Sequence, residues 1–408
     1  MDLVNSLIEF DKREMHPMRL LMVQYAGDYR EAVERLAQGG WETYYAQKYS
    51  VEAVAEIGKT LEEVAVLCCL TQERYDEVLS NGVRAIGAGF NPKVNIRTLI
   101  ELIEKQKPTH LIVRTPFQEL FAWAIKNQVP TIAILADSFP TQGLKNKLEN
   151  YWLAKALNHQ RIDWVFNHGI NSSLSLQEIG VNPDKIIPWD WPPLVTPDSF
   201  SAKTLRAEER TCNLVYVGLI AESKGIGDVL DALKELRAKN VSINLKVAGK
   251  GEIDAFIHKA KQLNIEDCVE FLGLVPNQAI VHLMREADFV IIPSRHEYPE
   301  GFPMTIYEAL CSRTPIIASD HPMFQNKLQD GTNALIFPAA NAVALAACIE
   351  KLLSNPELYE RLSLASFDAW KKLQIPVKWA DMINRWLDNS PGNRQWLFEH
   401  RLSSGRYT

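Results

Sequence analysis

The sequence predicts two successive doubly wound α/β sheets, and three observations carry that prediction. Short β-branched runs alternate with helical patterns along almost the whole chain. The runs are apolar throughout rather than at every second position, which suits parallel strands covered on both faces. A proline-rich polar stretch near the middle, Trp189–Thr211, divides the runs into two series. A chain of 408 residues also exceeds one ordinary core.

In the first series the runs are LLMVQY from Leu20, EVAVLCCL from Glu63, HLIVRT from His110, TIAILAD from Thr131, WVFNH from Trp164 and KIIPW from Lys185. The second series holds NLVYVG from Asn213, NLKVAGKG from Asn244, VEFLGLV from Val269, FVIIPS from Phe289, PIIASD from Pro315 and ALIFPA from Ala334. Between them lie helical patterns such as Ile226–Lys239, with Val229, Leu230, Leu233 and Leu236 on one stripe, and Ala342–Leu353. Strand–helix–strand alternation implies right-handed crossovers. The boundary falls near Pro197–Arg210, giving domains over 1–200 and 201–375. In the tail 376–408, Trp379, Met382, Ile383 and Trp386 recur at helical spacing, and this tail is expected to pack back on the first domain.

Composition narrows the function classes. The chain is 47% hydrophobic and 23% charged, with a formal charge of −6. The first 200 residues carry 20 Lys+Arg against 25 Asp+Glu, so the charge is spread and general nucleic-acid binding is not expected. Six cysteines form no CxxC pair. Cys68–Cys69 sits in a strand run, where neighbours alternate faces, so buried free thiols and a reducing compartment are expected. No secretory signal and no apolar run of about 18 residues are found, which predicts a cytoplasmic protein without a membrane span. The amphipathic start (Leu3, Val4, Leu7, Ile8, Phe10) is expected to pack rather than anchor.

Ligands of open α/β sheets collect at the carboxyl ends of strands. The richest such loop is Arg295-His296-Glu297-Tyr298-Pro299-Glu300-Gly301-Phe302-Pro303, followed by MTIYEALCS. Pro303 suits a helix start and Gly301 admits close backbone approach. A helix beginning there offers N–H groups and its positive dipole end to phosphate. Glu300 before the helix and Glu308 inside it can accept hydrogen bonds from sugar hydroxyls; the plainer reading has Glu300 capping and Glu308 solvated. The loop after NLVYVG ends in Lys224-Gly225, and a lysine there can neutralise a diphosphate leaving group. Gly249-Lys250-Gly251 ends another strand, and Gly39-Gly40-Trp41-Glu42 is expected to open a helix. GxxxxGK[ST] occurs nowhere, and no GxGxxG follows the first strand.

In order and spacing these segments resemble glycosyltransferase family 4, the retaining "group 1" enzymes of GT-B fold, from about Met18 to Asp388. GGWE resembles that family's glycine loop, YVGLIAESKG its phosphate loop and KVAGKGE its glycine turn. FLGLVPNQAIVHLMREADFVIIPS, EGFPMTIYEAL, TPIIASD and DGTNALIFPA then follow in the family's order. The resemblance implies two Rossmann-like domains facing across a cleft that closes over a donor. It implies that Glu308 holds ribose hydroxyls and Glu300 donor-sugar hydroxyls. Lys224 would pair with the leaving phosphate, with N–H groups near Phe302, Pro303 and Met304, and Val275 would present backbone to the base. Gly218, Gly249, Gly251 and Gly301 would line the donor, while Gly39, Gly40, Arg114 and His168 would lie on the acceptor side.

Three positions depart from the pattern. Leu219 replaces a usual arginine, for which Arg295 or Arg114 would substitute. The strand that often ends in histidine ends in Asp137, which becomes the candidate to orient the attacking hydroxyl, with a structural cap the equal alternative. Asp320-His321-Pro322-Met323 replaces a glycine pair near the donor sugar. No DxD motif or metal-ligand cluster is found, so no metal and no cofactor beyond a UDP- or GDP-linked donor is expected. The acceptor would be a glycan, a lipid-linked or a small-molecule hydroxyl. Tyr151, Trp152, Trp164, Lys145, Lys147, Lys155 and Arg161 could give a peripheral membrane contact, although inward packing of the aromatics is the simpler expectation. Trp189 and Trp191 suit sugar stacking or domain packing alike, and His168 either faces the acceptor or is a satisfied core or rim histidine.

Overall fold

The computed structural model describes residues 18–90, 93–205 and 211–407. The amphipathic start at Leu3–Phe10 and residues 206–210 of the linker lie outside them. The first sheet comprises β1 (Arg19–Gln24), β2 (Glu63–Cys68), β3 (Arg74–Val78), β4 (Arg84–Ala88), β5 (His110–Arg114), β6 (Thr131–Leu135), β7 (Ile162–His168) and β8 (Ile186–Trp189). The second comprises β9 (Cys212–Val217), β10 (Ile243–Ala248), β11 (Val269–Gly273), β12 (Phe289–Ile292), β13 (Ile316–Ser319) and β14 (Leu335–Phe337). Helices α1 (Tyr29–Ala37), α2 (Gln47–Gly58), α3 (Ile96–Gln106), α4 (Gln118–Lys126), α5 (Leu144–Leu157) and α6 (Ile170–Glu178) accompany the first sheet. With the second come α7 (Ile226–Ala238), α8 (Ile253–Gln262), α9 (Asn277–Glu286), α10 (Met304–Ser312), α11 (Ala342–Leu353) and α12 (Pro356–Leu373). The tail forms α13 (Trp379–Asp388) and α14 (Pro391–Glu399).

The first sheet runs β3-β4-β2-β1-β5-β6-β7-β8, with β3 antiparallel to β4. The second runs β11-β10-β9-β12-β13-β14, and its paired strands are parallel. This is the Rossmann order, whose direction reverses between the first strand and the fourth. Here that switch point lies between β9 and β12. Strand alternation explains why both faces are covered. Leu214 and Tyr216 of β9 face the cluster built with α7 and α11, while Val215 faces the one built with α9 and α10. Each strand therefore needs apolar residues on both sides, which is why these strands read as unbroken apolar runs.

Chain contacts divide the described residues into two compact units. One holds those through Glu34, with 49–135 and 155–165; the other holds 35–48, 136–154 and those from Phe166 onward. Within the second unit the tail docks on β8: Asp190 N–H donates to Val377 O at 2.9 Å, and Trp379 stacks on Trp191 at 5.8 Å. Cys68 and Cys69 are buried free thiols, as expected. Among the described residues, no helix is long and apolar enough to cross a membrane.

Two local expectations fail. The Gly39–Glu42 segment opens no helix but lies in the turn between α1 and α2, Gly39 taking a left-handed φ of 76°. The aromatics of α5 do not pack inward: Tyr151 and Trp152 are exposed, while Leu153, Ala154 and Leu157 take the buried face.

Candidate functional site

The loops that follow β9 and β12 meet at the switch point of the second sheet. Arg295 N–H donates to Ser223 O at 3.0 Å. The approach at Gly225 is closer still, since a Cβ there would stand 2.0 Å from Pro293 O, and its φ of 76° is left-handed. This contact delivers Lys224 to Glu300. Their side chains form an ion pair, Glu300 buried and Lys224 partly so, and Ser294 Oγ donates to the same carboxylate oxygen at 2.6 Å. The Lys224 ammonium also lies 4.4 Å from the centre of the Tyr298 ring, a cation–π arrangement. Burial, with Glu300 close by, pushes the Tyr298 phenol up.

Glu300 precedes α10, and Pro303 takes the capping position without a side-chain hydrogen bond. The first-turn N–H groups, from Met304 onward, therefore have no side-chain cap. Phe302 is buried edge-on against Tyr307 at 5.4 Å. Gly301 packs so closely that a Cβ would sit 2.3 Å from Ala136 O. Asp137, the next residue, is half-buried, and desolvation raises its carboxyl above the ordinary range. Asn167 Nδ2 donates to Asp137 O at 3.0 Å.

Glu308 projects from the second turn of α10 and is buried. Asn277 Nδ2 donates to its Oε1 at 2.7 Å, while Asn277 N–H donates to Glu42 O at 3.0 Å. The Gly39–Glu42 segment thus reaches the same asparagine that holds Glu308. A small pocket adjoins Glu308, lined also by Tyr45, Asp190, Trp191, Tyr307, Cys311 and Gln374, and none of its lining residues is cationic. Desolvation accordingly pushes the Glu308 carboxyl up to about 8, against an ordinary 4.5.

The other sequence candidates fall in three groups. Gly218, Gly249 and Gly251 bring the β9 and β10 loops together, where Gly218 N–H donates to Ala248 O at 3.0 Å and Ile220 N–H to Lys250 O at 2.8 Å. Val275 packs at the edge of the α9–α10 cluster, just before Pro276 and Asn277. Arg295 is held by two carboxylates: Nε and Nη2 donate to Asp228 at 2.8 and 2.7 Å, and Nη2 also reaches Glu222. Arg114 belongs to the other compact unit, where it donates to Gln24 Oε1 at 3.1 Å. His168 is buried, with Nε2 at 3.2 Å from Asp190 Oδ1 and its ring 5.0 Å from Trp189.

Four positions of the candidate site were missed by sequence reasoning. Ser294 and Asn277 sit inside quoted strings, FVIIPS and VPNQ, yet only folding aims them at Glu300 and Glu308. Tyr298 gave no spacing signal. Asp190 is buried in the linker and accepts from Tyr307 Oη at 2.9 Å and Trp191 N–H at 2.8 Å. The Asp320–Met323 loop is clamped twice. His321 Nε2 lies 3.0 Å from Tyr298 O, and Asn171 Nδ2 donates to Met323 O at 2.9 Å.

Residues 199–367 match the family model "Glycosyl transferases group 1". The chain is 26% identical over 162 residues to the amylovoran biosynthesis glycosyltransferase AmsK of Erwinia amylovora, covering 39% of this chain and 40% of that protein. The match thus spans about two fifths of that relative's length. Among solved structures it resembles sucrose-phosphate synthase from Thermosynechococcus elongatus, with TM-score 0.65 and 14% identity, over 91% of this chain and 98% of that one. It also resembles Anabaena HepE in complex with UDP-glucose, with TM-score 0.62 and 14% identity, over 91% and 98%. The chain has the two-domain GT-B fold, and over residues 199–367 it is similar to the glycosyl transferases of group 1.

Proposed function

We propose that this chain is a glycosyltransferase of family 4 that moves a hexosyl group from a nucleoside diphosphate sugar to an acceptor hydroxyl, without a metal and with retention. The observation that carries this reading is the meeting of Lys224, Glu300 and Ser294 at the β9–β12 switch point, with Glu308 buried one helix turn beyond. The similarity of residues 199–367 to group 1 transferases supports the reaction class. The UDP-glucose bound by HepE makes a UDP-linked sugar the first donor to try, with GDP-linked sugars next.

In this reading the diphosphate lies over the start of α10, and Lys224 turns from Glu300 toward it. The bond from the anomeric carbon to the phosphate oxygen breaks, and the acceptor oxygen bonds to the same face. The acceptor proton passes to the departing phosphate oxygen. Neutralising that oxygen is the largest electrostatic demand, and Lys224 with the first-turn N–H groups meets it. Glu308 accepts from the ribose hydroxyls, Glu300 from those of the sugar, and Asp137 orients the acceptor. Acceptors are a glycan, a lipid-linked or a small-molecule hydroxyl, presented in the cytoplasm or at the inner membrane face.

Thermal-shift screening against UDP-, GDP-, ADP- and CMP-sugars tests the reading, since a ligand of the folded state stabilises it in proportion to occupancy. One nucleotide series should stabilise the chain, and nucleotide release should rise with acceptor. Stabilisation by none, or release of free sugar or an epimer without transfer, would reject it.

A further inference from the structure

Helix α5 carries two apolar faces where its packing needs one. Leu153, Ala154 and Leu157 are buried. At about 100° per residue, Leu144, Leu148, Tyr151 and Trp152 fall on the opposite side, within an arc of about 100°. All four are exposed, at 88%, 60%, 58% and 45%. Lys147 borders this stripe on one side and Lys145 on the other, with Lys155 inside it. Glu149 is the one acidic residue of the helix, so its formal charge is 3 − 1 = +2 in a chain of −6.

We propose that this outer face of α5 docks on an anionic lipid surface, with the two leucines and the aromatic pair entering the headgroup–acyl boundary and the lysines meeting lipid phosphates. Three features select this occupant. Tyr and Trp present an apolar body with a polar tip, which suits the interface of a bilayer. The Tyr151 and Trp152 rings meet edge-to-face at 5.3 Å and form one compact wedge. Lysines on both borders let apolar stems lie on the surface while their ammonium groups reach phosphate. A second copy of the chain fits poorly, because a two-fold contact would set lysine borders against each other. Four side chains on one helix also fall short of the roughly 20–30 residues a side that a stable interface uses.

The proposal is independent of the proposed activity. Its test is co-sedimentation of the full chain with phosphatidylcholine vesicles, with and without about one third phosphatidylglycerol. Binding should require the anionic lipid. Leu144→Ser/Leu148→Ser should lower the partition coefficient at least about tenfold, and Lys145→Gln/Lys147→Gln about fivefold or more, falling further with salt. These side chains are exposed, so circular dichroism should match the parent protein. Equal partition of all variants, or no selectivity for anionic vesicles, would overturn the proposal. So would concentration-dependent self-association of the parent that Leu144→Ser/Leu148→Ser abolishes.

Discussion

Replacing Glu308 with glutamine should make the protein more stable in neutral solution and remove part of its pH dependence. The side chain is buried, Asn277 donates a hydrogen bond to it, and among the described residues no cation lines the adjoining pocket. Its carboxyl is raised from 4.5 to about 8 in the folded chain. The folded state therefore holds a proton that the unfolded state has released between those values. Stability from this group is full below the unfolded value and is lost as pH rises through the window, at up to about 1.4 kcal/mol per pH unit. Between about pH 5.5 and about pH 7.5 the loss comes to about 2.5 kcal/mol. Glutamine keeps an oxygen for Asn277 and does not titrate. Urea unfolding followed by tryptophan fluorescence, without nucleotide, should show parent and variant diverging by that amount across the interval. Parallel pH dependence of the two would refute the argument that Glu308 is uncompensated.

Lys224→Met should reduce turnover at least about a hundredfold and cost about 3–5 kcal/mol in stability, because it leaves the Glu300 carboxylate buried with Ser294 alone. Adding Glu300→Gln should restore much of the stability but not the rate, which denaturant unfolding and single-turnover kinetics separate. Gly225→Ala should cost about 2–3 kcal/mol by strain and by collision with Pro293 O, seen as a shifted unfolding midpoint. Tyr307→Phe removes a donor from buried Asp190, and a loss of about 1–3 kcal/mol is expected in the same assay.

Much of the fold was legible because parallel strands buried on both faces leave unbroken apolar runs. All twelve runs named from the sequence became strands with small shifts at their ends. The antiparallel β3–β4 pair was not legible. Arg74–Val78 is a largely exposed edge strand, and polar residues at an edge give no apolar signal. Helix α5 was misread for a related reason, since periodicity alone cannot tell which of two apolar faces turns inward. At the site, glycines and the Pro303 helix start marked where loops approach one another. Partners were hidden. Arg295 looked like a spare cation, but Asp228 lies 67 positions away in sequence, and only the fold reveals the bidentate pair. The same holds for Asn277 and Glu308, 31 positions apart.

The central claim is that the donor occupies the Lys224–Glu300–Glu308 site, with Glu308 as a carboxylate toward hydroxyls. Calorimetric titration of the best nucleotide sugar near pH 7, in buffers of different ionisation enthalpy, tests it directly. The parent should release a proton on binding the donor, since a carboxylate toward the hydroxyls requires Glu308, raised to about 8 by burial, to ionise. In Glu308→Gln that release should vanish and affinity should fall about tenfold or more. Equal affinity and equal proton release in the two proteins would contradict the assignment.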